Sequence, residues 1–231
     1  MRKMIVLGHR GYSAKYPENT LLAFREAIKA GADGIELDVW QTRDGKVLVH
    51  HDANFMRTAG LSKSVKNTIS EDIKKYSFRG EKFTYLEDVY EHLPSNTFIN
   101  VEIKDIDVVE NAFRIVKEHG ALHRTLFSSF NIYALKKLRN ISPDARIGIL
   151  FESRRIAILI PVLVPILKAE FVNAPIIARE MLGLNVFRFL LKSYKLAGAK
   201  IALWTVNSKD SLTGIEDLCD VVITDDVSIW R

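Results

Sequence analysis

The chain has little of what characterises several classes of protein. Its 231 residues include one cysteine, Cys219, which excludes an intramolecular disulfide. With 12 Gly and 6 Pro against 48% hydrophobic and 26% charged residues, the composition excludes disordered and collagen-like chains. The sequence has no glycine-rich phosphate loop, zinc-ligand spacing or basic cluster interleaved with aromatic residues. It therefore predicts a folded globular protein that does not bind nucleic acid.

The excess of one charge sign is also small. Thirty-three Lys and Arg against 28 Asp and Glu give a net charge of +5, which favours an anionic ligand or surface without identifying it. Only four apolar residues separate the basic start of the sequence from polar residues, which is too short for a signal peptide. We expect a cytoplasmic protein, and the oligomeric state is not predicted.

No apolar run is long enough to cross a membrane. The longest, Ile156–Leu167, would extend roughly 18 Å as a helix, against about 30 Å of hydrocarbon core. Pro161 and Pro165 interrupt it, and Arg154, Arg155 and Lys168 flank it. A core helix is the favoured interpretation, and a segment in contact with a membrane surface is the alternative.

Short apolar segments alternate with helical patterns along the whole chain. The predicted strands are residues 4–8, 34–40, 98–103, 125–128, 146–150, 171–173, 200–204 and 221–224. Eight such strands favour a (β/α)8 TIM barrel over an open doubly wound sheet, which usually has fewer strands. Since no linker divides the chain, we expect a single domain over residues 1–231.

Two features add to this pattern. Asp44 and Gly45 form a turn signal that predicts a hairpin partner for the second strand, starting at Lys46. Residues 52–84 are polar and irregular, with one predicted helical turn, and we interpret them as a short insertion after the second strand. A helix is predicted over residues 209–218, between the last two strands.

The carboxyl ends of the strands carry the active site of such a barrel, and polar residues gather there. Glu36 and Asp38 are two positions apart and point to one side of their strand, and Glu102 ends the next strand. Three hard oxygen ligands suit one divalent metal ion, Mg²⁺ or Ca²⁺, with Mn²⁺ possible. The alternative is that each acid forms a salt bridge with Lys or Arg.

Cations and imidazoles accompany these acids. Arg10 and Lys104 would suit a small-molecule phosphodiester, although Lys104 could instead only neutralise Glu102. His9 and His51 would divide the roles of general acid and general base. Asp52 would either orient the second histidine or cap a turn. Trp204 would form an apolar wall beside the alcohol part of a substrate, or belong to the core.

The region Gly8–Gly60 contains the motifs His-Arg-Gly, Pro-Glu-Asn-Thr, Glu-x-Asp and His-Asp. VEIK at 101–104, SSF at 128–130, WTVN at 204–207 and ITD at 223–225 follow in order. In this arrangement the chain resembles the glycerophosphodiester phosphodiesterase family over essentially its full length.

The resemblance implies a (β/α)8 barrel that hydrolyses glycerophosphodiesters to glycerol phosphate and an alcohol with a divalent metal. It implies that His9 and His51 are the acid/base pair. The matching metal ligands are Glu36, Asp38 and Glu102, and the matching phosphate contacts are Arg10 and Lys104.

The chain departs from the family pattern in two loops. Residues 225–227 lack the proline that often follows the last Thr-Asp, and residues 83–86 replace the usual Ile-Pro-Thr-Leu. Both bear on loop shape and not on the proposed catalytic groups, and the short insertion would leave the site open to bulky diesters. Glu102 favours glycerophosphodiesters over sphingomyelin, since the sphingomyelin-cleaving relatives commonly have Asp there.

Two other functions remain as alternatives. One is a lysophospholipase D, with residues 156–167 as a lip for an acyl chain. The other is a noncatalytic barrel that binds phosphodiesters or headgroups.

Overall fold

The computed structural model describes residues 4–230, except for the side chain of Arg154. Eight parallel strands form its main sheet: β1 Ile5–His9, β2 Gly34–Gln41, β3 Phe98–Ile103, β4 Thr125–Ser129, β5 Arg146–Leu150, β6 Phe171–Pro175, β7 Lys200–Trp204 and β8 Val221–Thr224. The sheet closes because β1 pairs with both β2 and β8. The predicted (β/α)8 TIM barrel is therefore confirmed.

Nine α-helices accompany these strands within the described residues: α1 Leu21–Lys29, α2 Met56–Ala59, α3 Ser70–Ile73, α4 Leu86–His92, α5 Val109–Glu118, α6 Ile132–Ile141, α7 Arg154–Leu167, α8 Ile177–Leu182 and α9 Leu184–Leu196. Side chains cap several of them, since the first N–H groups of a helix lack partners within it. Thr20 accepts from the N–H of Ala23 at the start of α1, and Asn131 does the same for α6.

The predicted helix over residues 209–218 is wrong. The structure has a single 3₁₀ turn there, Lys209–Leu212, followed by turns. The Ser208 side chain starts this turn by accepting from the N–H of Asp210, and Gly214 follows it with a φ of 83°. That left-handed conformation is not helical and favours glycine, so no helix continues through it.

Residues on alternate sides of the strands build two apolar layers. Ile35, Leu37 and Val39 of β2 belong to the large core between the strands and the surrounding helices. A second cluster is contributed by five other strands and fills the barrel: Leu7, Leu126, Phe171, Ala202, Val221 and Ile223. The polar side chains at the strand ends therefore lie next to closely packed apolar layers.

The segment after β2 has more structure than the single predicted helical turn. The hairpin strand Val47–Val49 pairs with β2 as predicted, and Thr84–Tyr85 pairs with its other edge. Between them lie α2, the 3₁₀ turn Val65–Asn67, α3, and two short strands that pair with each other, Ser77–Phe78 and Glu81–Lys82. A small cluster of its own holds the segment: Leu48, Phe55, Val65 and Ile73.

Helix α7 buries one side of the apolar run and exposes the other. It buries Ala157, Ile160, Val164 and Leu167 and exposes Ile158, Leu159, Val162 and Ile166. Pro161 lacks the N–H that would pair with the Ala157 carbonyl, and the Tyr194 hydroxyl of α9 donates to that carbonyl at 3.0 Å. Among the described residues, none of the helices combines the length and hydrophobicity needed to cross a membrane.

An ion-pair cluster lies where β5, β6 and β7 begin. Glu170 accepts hydrogen bonds from Arg146 Nε at 2.7 Å and from Lys200 Nζ at 2.8 Å. Arg146 also lies over the Phe98 ring and Lys200 over the Phe171 ring. Burial alone would raise the pKa of Glu170, but its two cationic partners lower that pKa to about 2.

Candidate active site

The predicted site residues meet at the carboxyl ends of the strands. A cavity of about 490 Å³ opens there, and seven of the eight predicted residues line it: His9, Arg10, Glu36, His51, Glu102, Lys104 and Trp204. Asp38, the eighth, is 1% exposed and contacts two of the lining residues, Arg10 and Lys104. The structure therefore brings all eight together.

A tight turn after β1 fixes the first part of the cavity wall. Arg10 has a φ of 55° and Gly11 a φ of 86°, both in the left-handed region. A Cβ at Gly11 would lie 2.6 Å from the backbone carbon of Ala23, so only glycine fits against α1. The turn directs the backbone N–H of Arg10 to Glu36 Oε2, at 3.1 Å.

Three buried carboxylates form the base of the site. Glu36, Asp38 and Glu102 each offer an oxygen, and these oxygens all lie within 4.8 Å of one another. Burial and repulsion by Asp38 raise the pKa of Glu36 to about 7 and that of Glu102 to about 8. For Asp38 the charges of Lys104 and Arg10 outweigh burial and hold its pKa below the usual range. Buried oxygens that repel one another at this spacing fit a divalent cation.

The two cations contact these acids directly. Lys104 Nζ lies 2.8 Å from Asp38 Oδ1 and 2.6 Å from Glu102 Oε1. Arg10 Nε lies 3.3 Å from Asp38 Oδ2, and its Nη1 lies 3.0 Å from Glu18 Oε1. Asp38 and Glu102 thus form the salt bridges that the sequence suggests as an alternative, whereas Glu36 forms none with a Lys or Arg of the described residues and accepts from the backbone N–H of Arg10. Both cations also line the cavity, where they are available to an anionic ligand.

A carboxylate holds each of the two histidines. His9 Nδ1 lies 2.7 Å from Asp225 Oδ1, and His51 Nδ1 lies 2.6 Å from Asp52 Oδ1. Because Nδ1 donates to the carboxylate in each pair, Nε2 is the nitrogen that can exchange a proton with a ligand. Of the two roles considered for Asp52, the structure shows the contact needed to orient His51.

The adjacent His50 is occupied elsewhere. Its side chain is buried, with Nδ1 2.7 Å from the Asp52 carbonyl and Nε2 3.0 Å from Thr58 Oγ1. Both ring nitrogens are used within the protein, and His50 does not line the cavity.

Sequence reasoning missed the partners that hold these groups in place. The expectation that residues 225–227 bear only on loop shape is wrong, because Asp225 contacts His9. Asp225 directly follows β8, where the strand-end rule places site residues. Asn207 Nδ2 and Ser13 Oγ donate to Asp225, at 2.7 and 3.0 Å. Asn19 Nδ2 donates to Asp38 Oδ2 at 2.8 Å.

Trp204 lies between the cavity and a second one. Its Nε1 donates to the Asn173 carbonyl at 3.0 Å, and its ring meets Phe130 edge to face. The second cavity, of about 810 Å³, lies among α7, α8 and α9 and has a mostly apolar lining. Glu152, Trp204 and Thr205 line both cavities, so the two adjoin.

The chain is similar in sequence to named proteins and in fold to solved structures. A glycerophosphodiester phosphodiesterase of Caldanaerobacter subterraneus subsp. tengcongensis is 33% identical over 97% of this chain and 95% of its own length. A human lysophospholipase D is 29% identical over 67% of this chain and 53% of its own. The Thermotoga maritima glycerophosphodiester phosphodiesterase superposes with a TM-score of 0.87 at 33% identity, covering 100% of this chain and 98% of that one.

An Oleispira antarctica phosphodiesterase, solved with the product sn-glycerol-3-phosphate, shares the fold at 22% identity. Its TM-score is 0.81, over 97% of this chain and 94% of that one. The model of the glycerophosphoryl diester phosphodiesterase family matches residues 9–229, nearly the whole chain. The chain therefore belongs to the glycerophosphoryl diester phosphodiesterase family.

Proposed function

We propose that this protein hydrolyses glycerophosphodiesters to glycerol phosphate and an alcohol. The observation that carries the proposal is one cavity lined by two cations and by two histidines held by carboxylates, beside a cluster of three buried carboxylates of which Glu36 and Glu102 line it. A barrel that only binds a phosphodiester would need the cations but neither histidine. The names of the relatives from C. subterraneus and T. maritima agree with this activity.

The acids and cations would bind the phosphate. Glu36, Asp38 and Glu102 would hold one divalent cation, Mg²⁺ or Ca²⁺, with Mn²⁺ as the third choice. When bound, the cation would supply positive charge that neutralises the diester. Arg10 and Lys104 would contact phosphate oxygens and orient the substrate, and Arg10 can engage two oxygens with its planar guanidinium.

The histidines would move the protons. One Nε2 would remove a proton from the attacking hydroxyl, which belongs to water or to the glycerol of the substrate. In the second case a cyclic glycerol phosphate would form, and water would then open it to glycerol phosphate. The other would deliver a proton to the departing alcohol oxygen as its bond to phosphorus breaks. Asp225 and Asp52 would keep both rings in position. Trp204 would pack against the alcohol portion of the substrate.

The direct test is a panel of glycerophosphodiesters followed by phosphorus NMR in Mg²⁺, Ca²⁺, Mn²⁺ or chelator. We expect glycerol phosphate as the product and loss of turnover in chelator. The variant Glu36→Gln should need more metal than the wild type, and excess metal should restore part of its rate. Affinity for a diester without turnover in any metal would instead indicate the noncatalytic binding barrel.

A second candidate function is that of a lysophospholipase D. The apolar cavity beside Trp204 favours it, since it could take a hydrocarbon chain while the phosphate occupies the first cavity. Residues 156–167, the expected lip, contribute Ala157 and Ile158 to its lining. The test compares kcat/KM for lysophosphatidylcholine and glycerophosphocholine. Ala178→Phe, which fills part of the cavity, should lower the ratio of the two values roughly tenfold.

We also propose that residues 1–231 form one domain in which 52–84 are an insertion. The pairing of Val47–Val49 with Thr84–Tyr85 supports this, because the segment leaves and returns at one edge of the sheet. Residues 1–3 and 231 lie outside the described part. Limited proteolysis should cut within 52–84 and leave the barrel fragments associated.

We also propose that the protein is cytoplasmic and that residues 156–167 contact a membrane surface. The buried free thiol of Cys219 suits a reducing compartment. The exposed Ile158, Val162 and Ile166 support the membrane contact. Cell fractionation tests the location.

A further inference from the structure

The outward surface of α7, α8 and α9 is strongly apolar. Of the fourteen large apolar side chains that the described residues expose, ten lie on these three helices. They are Ile158, Leu159, Val162, Ile166, Ile177, Met181, Leu184, Val186, Phe189 and Leu196. Since α9 packs against both α7 and α8, we treat them as one surface, the α7–α9 face.

The apolar side chains on this face are not needed for the barrel core. On α7 the exposed Ile158, Val162 and Ile166 recur every four residues, and Ile160 and Val164 pack inward on the other side. A helix on a protein surface normally presents polar residues on its outward side. An apolar patch of this extent normally marks an interaction surface.

The positive charge of the protein is concentrated in the same segment. Residues 154–196 hold seven Lys and Arg against two Glu, and two of the seven, Arg188 and Lys195, pair with Asp217 and Asp220 outside the segment. Arg155, Lys168 and Lys192 are exposed beside the apolar side chains. An apolar surface bordered by exposed cations is complementary to a membrane with anionic lipids. A second copy of the chain would bring a like charge against it, which disfavours a symmetric dimer through this face.

The face also borders the second cavity. Ile158, Ile177, Met181 and Val186 belong to the face and line the 810 Å³ cavity. That cavity adjoins the catalytic cavity at Trp204. A lipid surface that covered the face would therefore cover the mouth of the apolar cavity.

We propose that the α7–α9 face docks on an anionic lipid surface. Its apolar side chains enter the interface, and its cations contact the lipid phosphates. The docked protein takes diesters from the membrane through the apolar cavity, a consequence that rests on the proposed function. The docking itself does not depend on catalysis.

The test is cosedimentation of the full chain with phosphatidylcholine vesicles, with and without phosphatidylglycerol. We expect binding that requires phosphatidylglycerol and weakens as salt is added. Phe189→Glu should lower the partition coefficient roughly tenfold or more. Ile141→Glu, a similar change at an exposed residue of α6 outside the face, should change it less than about twofold.

Charge reversal separates the cationic contribution from the apolar one. Lys192→Glu should weaken binding to the anionic vesicles several-fold, whereas Lys117→Glu makes the same charge change on α5 and should have a smaller effect. Phe189 lines neither cavity, so Phe189→Glu should hydrolyse soluble glycerophosphocholine at the wild-type rate. That rate also shows that the variant is folded.

Three results would overturn one proposal or the other. Hydrolysis of glycerophosphocholine without binding to anionic vesicles would overturn the docking and leave the proposed function intact. Vesicle binding without turnover of any diester would do the reverse. A dimer in analytical ultracentrifugation that Phe189→Glu dissociates, without vesicle binding, would assign the face to self-association.

Discussion

Each histidine that lines the cavity contacts a carboxylate. The two carboxylates lie at very different separations from their histidines along the chain. Asp52 is the neighbour of His51 in the chain, whereas Asp225 is 216 positions from His9. The second pair exists because the barrel closes: β1 and β8 align Gly8 with Thr224, so the residues that follow each of them meet. Substitution of either histidine therefore tests catalysis, and substitution of Asp225 tests the positioning of His9.

We predict that His9→Ala and His51→Ala each lower kcat by about 10²- to 10⁴-fold, the usual contribution of a general acid or base. Metal affinity, measured by calorimetry, should stay near the wild-type value because neither ring is among the three acids. His92→Ala, at an exposed residue of α4, is the control. Full activity in either active-site variant would remove that histidine from the mechanism.

We predict that Asp225→Asn lowers kcat by roughly 10- to 100-fold with little change in KM. The variant keeps the shape of the side chain but loses the charge that holds His9, so substrate still binds while proton transfer is slowed. Asp226→Asn changes the next residue, which accepts a hydrogen bond from the Ser228 N–H and does not contact His9. This variant should leave kcat unchanged. Equal losses in the two variants would indicate damage to the loop and no specific role for Asp225.

The strand-end rule led from the sequence to the eight residues around the cavity, because alternation and strand polarity are local properties. Their roles stay predictions. The strand-end rule can place Asp225 near the cavity, but its contact with His9 and that of Asn19 with Asp38 depend on the register of the closed barrel and on the turn after β1. Neither can be deduced from spacing along the chain.

At the scale of elements, α7 contains two prolines and is still continuous. Tyr194 of α9 replaces the hydrogen bond that Pro161 removes, and Arg139 of α6 donates to the carbonyls of Leu167 and Lys168 at the other end of the helix. The sequence alone does not show whether α7 lies in the core or at the surface, because a run that is apolar on every side does not indicate which side is buried. The packing of α7 against α9 determines which side of α7 is buried.

We predict that Tyr194→Phe lowers the free energy of unfolding by about 1 kcal/mol, because the Ala157 carbonyl then lacks a partner in a dry environment. In the background of Pro161→Ala the restored N–H can pair with that carbonyl, and Tyr194→Phe should cost less. Urea denaturation of the four proteins gives the double-mutant cycle. Strict additivity would show that the hydroxyl does not compensate for the proline.

At the scale of the whole molecule, the candidate active site and the Glu170 ion-pair cluster lie at opposite ends of the barrel. The cavity of the candidate active site is at the carboxyl ends of the strands, whereas Glu170 joins the beginnings of β5, β6 and β7 through Arg146 and Lys200. Substitutions at the second end should therefore change the free energy of unfolding and leave turnover unchanged.

We predict that Glu170→Gln lowers the free energy of unfolding at pH 7 by about 1 to 2 kcal/mol, allowing for partial exposure of the carboxylate. The folded-state pKa of about 2 lies below the ordinary value of 4.5, so the stabilisation is complete above pH 4.5 and disappears as the pH falls to about 2. Denaturation curves of the two proteins should converge over this range. Glu118→Gln, in an exposed pair of α5, should change stability by less than about 0.5 kcal/mol.

The meeting of the first and last strands also governs when activity can arise during synthesis. Until β8 leaves the ribosome, the barrel is open and His9 has no Asp225 beside it. On the proposed mechanism, a nascent chain would carry most of its catalytic groups without the aspartate that holds His9, and we expect full turnover of diesters only once its last barrel strand docks.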